Sequence, residues 1–198
     1  MAHLLASRSC WIFDLDGTLT LPVHDFAVIR QELDIPDVSD ILDHFNTLPL
    51  HEATRQMERL EAIEWELATR ANAAPGVSDL LALLAQRGVS LGILTRNNRE
   101  IALKTLETIG AGRYFDSAHI LGRCQVPPKP DPAGIIHLLD QWGGTAADAV
   151  MVGDYLFDLQ AGRAAGAMTV HVGRPDGQLW PEVSDVVVED LIQLAEML

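Results

Sequence analysis

The 198-residue sequence predicts an α/β protein, a doubly wound parallel sheet with a small helical unit inserted directly after the first strand. Three observations carry this reading. Short apolar runs without polar alternation, at 10–13, 89–95, 149–152 and 169–172, suit strands covered on both faces. From Pro75-Gly76 onward such runs alternate with amphipathic helical segments, as strands joined by helical crossovers should. Between the first run and Pro75 the periodicity is helical only.

The N-terminus runs straight into the first strand, 10–13, which ends on Asp14, Asp16 and a turn-forming Gly17. Two residues apart, both aspartates project to the same side as the strand runs out. Helical segments follow near 25–33 and 37–48, separated by Pro36. A longer helix spans 49–71, where Leu50, Ala53, Met57, Leu60, Ile63, Leu67 and Ala71 recur at three- and four-residue steps. Pro49 opens it and Glu52 supports its first turn. Next come a helix at 77–87 stopped by Gly88, the strand 89–95, a helix at 97–109 closed by Gly110, and a short strand at 118–121. A loop with Pro127, Pro128, Pro130 and Pro132 leads to a helix at 133–142. The strand 149–152, a helix at 156–165, the strand 169–172 and a last helix at 188–197 complete the chain. Right-handed crossovers would bring the C-terminal ends of the strands to one edge, where open α/β sheets bind ligands.

The bulk properties narrow the partners. A net charge of −14 and a pI near 4.7 repel phosphate backbones and anionic membranes, which argues against nucleic-acid and membrane partners. Half of that charge lies on 21–74, which holds eleven acids against four arginines. Cys10 and Cys124 lack metal-ligand spacing and form no disulfide framework, and no apolar stretch is long enough to span a bilayer. A soluble protein of the reducing cytoplasm is expected. Nothing in the pattern selects an oligomeric state.

Polar groups gather where buried strands stop. Thr95 supplies a hydroxyl, and Arg96 and Asn97 follow with backbone N–H groups at a helix start, a suitable site for phosphate oxygens. Lys129, one of two lysines in the chain, is held between Pro128 and Pro130. Gly153-Asp154 and Asp158 place a second carboxylate pair at another strand-to-helix corner. Each has an ordinary structural reading as cap or surface group. Together with Asp14 and Asp16 they suggest catalysis, because close carboxylates are costly unless a cation or proton is shared between them.

In this order the segments resemble the haloacid dehalogenase superfamily, in its magnesium-dependent, phosphoglycolate-phosphatase-like branch with a small helical cap. Asp14-Leu15-Asp16-Gly17-Thr18-Leu19 matches the first family motif, Thr95 the second, Lys129 the third, and Gly153-Asp154 through Asp158 to Ala164-Ala165-Gly166 the fourth. The resemblance implies a Rossmann-like core formed by 1–20 and 75–198, with 21–74 as the cap. It implies that Asp14 is the nucleophile, forming an aspartyl-phosphate, and that Asp16 protonates the leaving oxygen and then activates water. Mg²⁺ would be held by the Asp14 and Asp154 side chains and the Asp16 carbonyl. Lys129 and Thr95 would hold the phosphoryl group, Asp158 would orient Lys129 or a metal-bound water, and Arg96, Asn97 and His24 would face the substrate. The chemistry asks for such groups independently, since a carboxylate can attack phosphorus only where the charge between them is neutralised.

A small closed lid suits a small phosphorylated metabolite, with hinges near 20–23 and 74–76. Within the insert His24, Arg30, His44 and Arg59 are the candidates for substrate contacts. Arg96 could reach a second anion such as a carboxylate, giving a phosphoglycolate-like substrate. Many relatives carry Asp-Ser soon after the first motif and serine after the Gly-Asp of the fourth. This chain has Thr20-Leu21-Pro22-Val23-His24 and Tyr155 instead, both at the substrate end. Dehalogenation does not use the second aspartate, which is present here. Phosphonate cleavage would need a lysine in the cap, and Lys104 and Lys129 both lie outside 21–74. A sugar phosphomutase, or a regulatory binding module of low turnover, remains the alternative to a phosphatase.

Overall fold

The computed structural model describes residues 2–36, 40–173 and 177–198. Six strands form one parallel sheet: β1 (Cys10–Phe13), β2 (Ser90–Leu94), β3 (Ile120–Leu121), β4 (Ala149–Gly153), β5 (Met168–Val172) and β6 (Val186–Val188). Their spatial order is β3-β2-β1-β4-β5-β6, so the winding reverses at β1. A crevice opens at such a reversal, outside the carboxyl ends of the strands.

The strands are apolar on both sides because both sides are covered. Trp11 and Phe13 join Leu91, Ile93, Val150 and Val152 on one face. That face is packed by α5 (Val77–Gln86), α6 (Arg99–Thr108) and α9 (Leu191–Glu196) through Leu80, Leu84, Leu106 and Leu194, the earlier helices being α1 (Ala2–Ala6), α2 (Phe26–Glu32), α3 (Ile41–Asn46) and α4 (Leu50–Thr69). Cys10, Ile12 and Met151 point the other way, against Ile135 and Leu138 of α7 (Ala133–Trp142) and Ala161 of α8 (Leu156–Ala165). The period-two alternation therefore divides two apolar layers rather than core from solvent.

Helices α2, α3 and α4 hold an apolar cluster of their own, with Ile29, Leu33, Ile41, Phe45, Leu60 and Leu67. The chain enters and leaves this insert side by side. Thr20 and Ala73 form an antiparallel bridge, Leu21 N donates to Asn72 O at 2.9 Å, and Ala74 N donates to Leu19 O at 2.9 Å.

Four expectations need revision. The N-terminus folds into α1 before β1, and its Leu5 is fully buried in the larger cluster. The C-terminal helix begins only at Leu191. Val186-Val187-Val188, β-branched and pairing with β5, forms the edge strand β6, and Asp190 caps the helix by accepting from Gln193 N. The segment expected at 37–48 is helical from Ile41, where Asp40 accepts from Leu42 N and Asp43 N; 37–39 lie outside the described residues. The segment expected from 97 likewise starts at Arg99, because the Asn98 side chain caps it.

Candidate active site

Strand register brings the site together. Phe13 lies opposite Ile93 of β2 and Val152 of β4, so Asp14, Thr95 and Asp154 emerge within a residue of the same level on one edge. Gly17, at φ +94°, then turns the chain back in a conformation that an L side chain rarely adopts, and its N–H donates to Thr20 Oγ1 at 3.1 Å.

Lys129 is the centre of the charged cluster. Its Nζ is 2.6 Å from Asp14 Oδ1 and 2.6 Å from Asp158 Oδ1, and the side chain is buried. The Lys129–Pro130 peptide bond is cis. Burial alone would pull the ammonium down, but the two carboxylates outweigh it and hold it above the ordinary lysine range. Asp158 does two things at once. Its other oxygen accepts from Tyr155 N at 3.0 Å, closing the first turn of α8, so the capping role and the lysine-orienting role coexist in one side chain. Burial pushes its carboxyl up against the pull of Lys129, and Asp14 and Asp154 add to the push. Gly153 makes room for it, since a Cβ there would lie 2.2 Å from the Asp158 Cβ.

Carboxylate oxygens of Asp14, Asp154 and Asp158 all lie within 4.8 Å of one another. The Thr18 hydroxyl, fully buried, sits 3.1 Å from Asp14 Oδ2 and 3.3 Å from Asp154 Oδ1. One ammonium does not balance three close buried carboxylates, so the cluster has room for a further cation or a shared proton. An all-oxygen donor set suits a hard divalent ion such as Mg²⁺.

Asp16 stands beside this cluster. Asn97 Nδ2 donates to Asp16 Oδ2 at 3.2 Å, and His24 Nδ1 lies 3.9 Å from Asp16 Oδ1, with the His24 ring stacked on Phe26. Burial is the largest influence on Asp16 and lifts its carboxyl above the usual range; His24, Asn97 and Lys129 pull it down and Asp14 pushes it up. Thr95, buried, accepts from Asn97 N at 3.0 Å, which leaves its O–H to donate.

A cavity of about 600 Å³ is lined by Asp14, Asp16, His24, Thr95, Arg96, Asn97, Lys129, Asp154 and Asp158. Ten of the residues singled out in the sequence thus share one space, these nine and Arg30 of the insert. His44 and Arg59 do not line it. Arg59 is exposed and ties α4 to α2, donating to Gln56 Oε1 at 3.0 Å and to the Glu32 carbonyl. Arg96 Nη2 donates to both carboxylate oxygens of Asp40 at 2.7 and 2.9 Å, Nη1 donates to Lys129 O, and the guanidinium rests over the Phe157 ring at 4.7 Å. The anion it reaches is therefore a side chain of the insert.

Thr18 and the Arg123 pairings were not singled out as site residues. Thr18 lies within the first motif, and a hydroxyl two residues after Asp16 is its signal in the sequence. Arg123 follows β3 and grips Glu64 of α4 at 2.9 and 3.1 Å, with Glu61 at 3.4 Å. No local pattern marks a partner 59 residues away.

A parallel sheet gathers a lysine-bound aspartate, a second aspartate and an oxygen cluster at its switch point, where open α/β sheets bind ligands. The chain belongs to the haloacid dehalogenase-like hydrolase family, whose model matches residues 11–172. It is 30% identical over 194 residues to an uncharacterized hydrolase of Saccharomyces cerevisiae, covering 94% of this chain and 89% of that protein. It is 32% identical over 126 residues to a phosphoglycolate phosphatase of Agrobacterium fabrum, covering 63% of this chain and 54% of that one. A hydrolase from Pseudomonas syringae shares the fold with a TM-score of 0.77 at 23% identity, over 96% of this chain and 97% of that one.

Proposed function

We propose that the protein is a Mg²⁺-dependent phosphatase that hydrolyses a small phosphorylated metabolite through an aspartyl-phosphate on Asp14. The observation that carries this is the buried Lys129 ammonium fixed 2.6 Å from Asp14, beside an Asp16 carboxyl that burial lifts above its ordinary range. Names of relatives that include a phosphoglycolate phosphatase support the same class.

Asp14 attacks phosphorus, and the bond from phosphorus to the ester oxygen breaks. Asp16, protonated at the outset, gives its proton to that oxygen, so the alcohol leaves neutral. Asp16, now a carboxylate, takes a proton from water as the water oxygen attacks the phosphoenzyme, which releases Asp14 and inorganic phosphate. Lys129 steadies the equatorial oxygens as a fixed charge and Thr95 adds a hydrogen bond. Asp14, Asp154 and the Asp16 carbonyl would hold Mg²⁺, with Thr18 and Asp158 behind them. When bound, the ion would supply charge neutralisation between nucleophile and phosphate.

Residues 21–74 act as a cap over the core of 1–20 and 75–198. The cavity draws its wall from both parts, which supports this assignment. Two cysteines unsuited to pairing with each other, Cys10 buried and Cys124 exposed, fit a reducing cytoplasm, and no helix among the described residues is long and apolar enough to cross a membrane.

The test is phosphate release from a panel of small metabolites and 4-nitrophenyl phosphate, with Mg²⁺ or chelator, for wild type and Asp14→Asn. Expected is metal-dependent release that falls by about a thousandfold or more in the variant. Release that persists in Asp14→Asn or in chelator overturns the mechanism. Phosphoryl return to a sugar without free phosphate would mark a mutase instead.

A further inference from the structure

Three cations line the cavity, and two of them are already committed. Lys129 is bound by Asp14 and Asp158, and Arg96 is paired through Nη2 with both oxygens of Asp40. Glu64, a further acid of the wall, is matched by Arg123 from the core. Arg30 is different. It makes no ion pair among the described residues, and its Nε is buried without a hydrogen-bond partner. The side chain is partly buried, and a guanidinium is always charged and carries donors in a fixed fork that matches an oxyanion, so its uncommitted donors on the cavity wall are available to one.

Its position says which part of a ligand it would meet. The approach to α2 starts at His24, 3.9 Å from Asp16, the group placed to protonate the leaving oxygen. Phe26 and Arg30 are one helical turn apart on α2, so they share a face, and both line the cavity. Arg30 thus lies beyond the ester oxygen, on the leaving-group side. The same cavity carries an apolar lining of Phe26, Ile29, Ile41, Leu60 and Phe157. A cavity of about 600 Å³ falls in the range that encloses drug-sized ligands, roughly 300–1,000 Å³. The two-carbon body of phosphoglycolate would leave most of that space and most of that apolar wall uncovered.

We infer that Arg30 is a specificity-determining residue that binds a second oxyanion on the leaving group, and that the substrate is a phosphate monoester carrying that anion on an apolar body larger than two carbons. This rests on the phosphatase reading above. Arg96 serves to hold Asp40, and through it the insert, rather than to bind the substrate anion.

The full-length protein with Mg²⁺ is assayed on phenyl phosphate, 4-carboxyphenyl phosphate, 1,4-phenylene bisphosphate, phosphoglycolate and 4-nitrophenyl phosphate. Wild type is expected to favour the carboxylated and bisphosphorylated aryl esters over phenyl phosphate and phosphoglycolate by tenfold or more in kcat/KM. The carboxylate and phosphate arms show which oxyanion is preferred. Arg30→Gln should lose at least tenfold more on those two esters than on phenyl phosphate, chiefly through KM, and Arg30→Lys should restore part of the difference. A thermal melt of each variant monitors folding, and the wild-type rank order needs no variant. No preference in wild type, a best rate on phosphoglycolate, or equal losses on charged and neutral esters in Arg30→Gln would each overturn the inference while leaving the phosphatase reading intact. Failure to release phosphate from 4-nitrophenyl phosphate or any other ester would instead remove the phosphatase reading and the inference with it.

Discussion

Lys129 shows how one side chain can be both a structural and a chemical necessity. It is the counter-charge for Asp14 and Asp158, so Lys129→Met leaves two buried carboxylates facing each other unpaired. Removing one partner of a buried pair costs about 3–5 kcal/mol, and we expect a loss of that order in denaturant melts, together with a fall in kcat of roughly 10²–10³-fold. A variant as stable as wild type would show that the cluster is not organised by the lysine. Asn97 gives a second prediction. Its amide favours the ionised form of Asp16, whose carboxyl burial already raises. Asn97→Leu should raise it further, so the ascending limb of the kcat profile, where Asp16 must accept a proton from water, moves to higher pH. An unmoved limb would separate Asn97 from the proton transfer.

At the scale of elements, the contact between α4 and the loop after β3 carries a pH dependence. Burial is the leading cause that pushes the Glu64 carboxyl from 4.5 up to about 7, with Arg123 opposing and Asp16 and Glu61 assisting. A raised folded-state value means that the folded protein holds a proton which the unfolded chain releases. The contribution of Glu64 to stability is therefore full below 4.5 and is lost as pH rises toward about 7, by an amount on the order of 3 kcal/mol. Denaturant melts across that window should show the slope, and Glu64→Gln should reduce it, the remainder belonging to the raised Asp16 and Asp158; an unchanged slope assigns the effect elsewhere. The same scale explains what the sequence disclosed and what it hid. Strands buried on both faces announce themselves as unbroken apolar runs, so β1, β2, β4 and β5 were legible. The edge strand β6 was not, because three valines with the middle one exposed read equally well as the start of a helix. The residues on the strand ends were legible because each follows its strand directly. Arg96 with Asp40 and Arg123 with Glu64 join positions 56 and 59 residues apart, and only the packed chain reveals those pairings.

For the whole molecule, the sheet edge carries the charged cluster and the insert supplies most of the apolar lining of the cavity. The division is also a division of charge. The insert brings most of its acids to solvent, while Asp40 and Glu64 turn inward to core arginines. Two such ties, one from each of α4 and the start of α3, hold the two parts together across the cavity.

The bridge between Thr20 and Ala73 has a meaning beyond closure. Because the chain leaves the sheet and returns to it at neighbouring points, everything between them is a cassette whose replacement leaves strand order and register untouched. Selection, or a protein engineer, could graft another cassette onto the same pair of ends and change the cavity wall without rebuilding the charged cluster on the sheet edge.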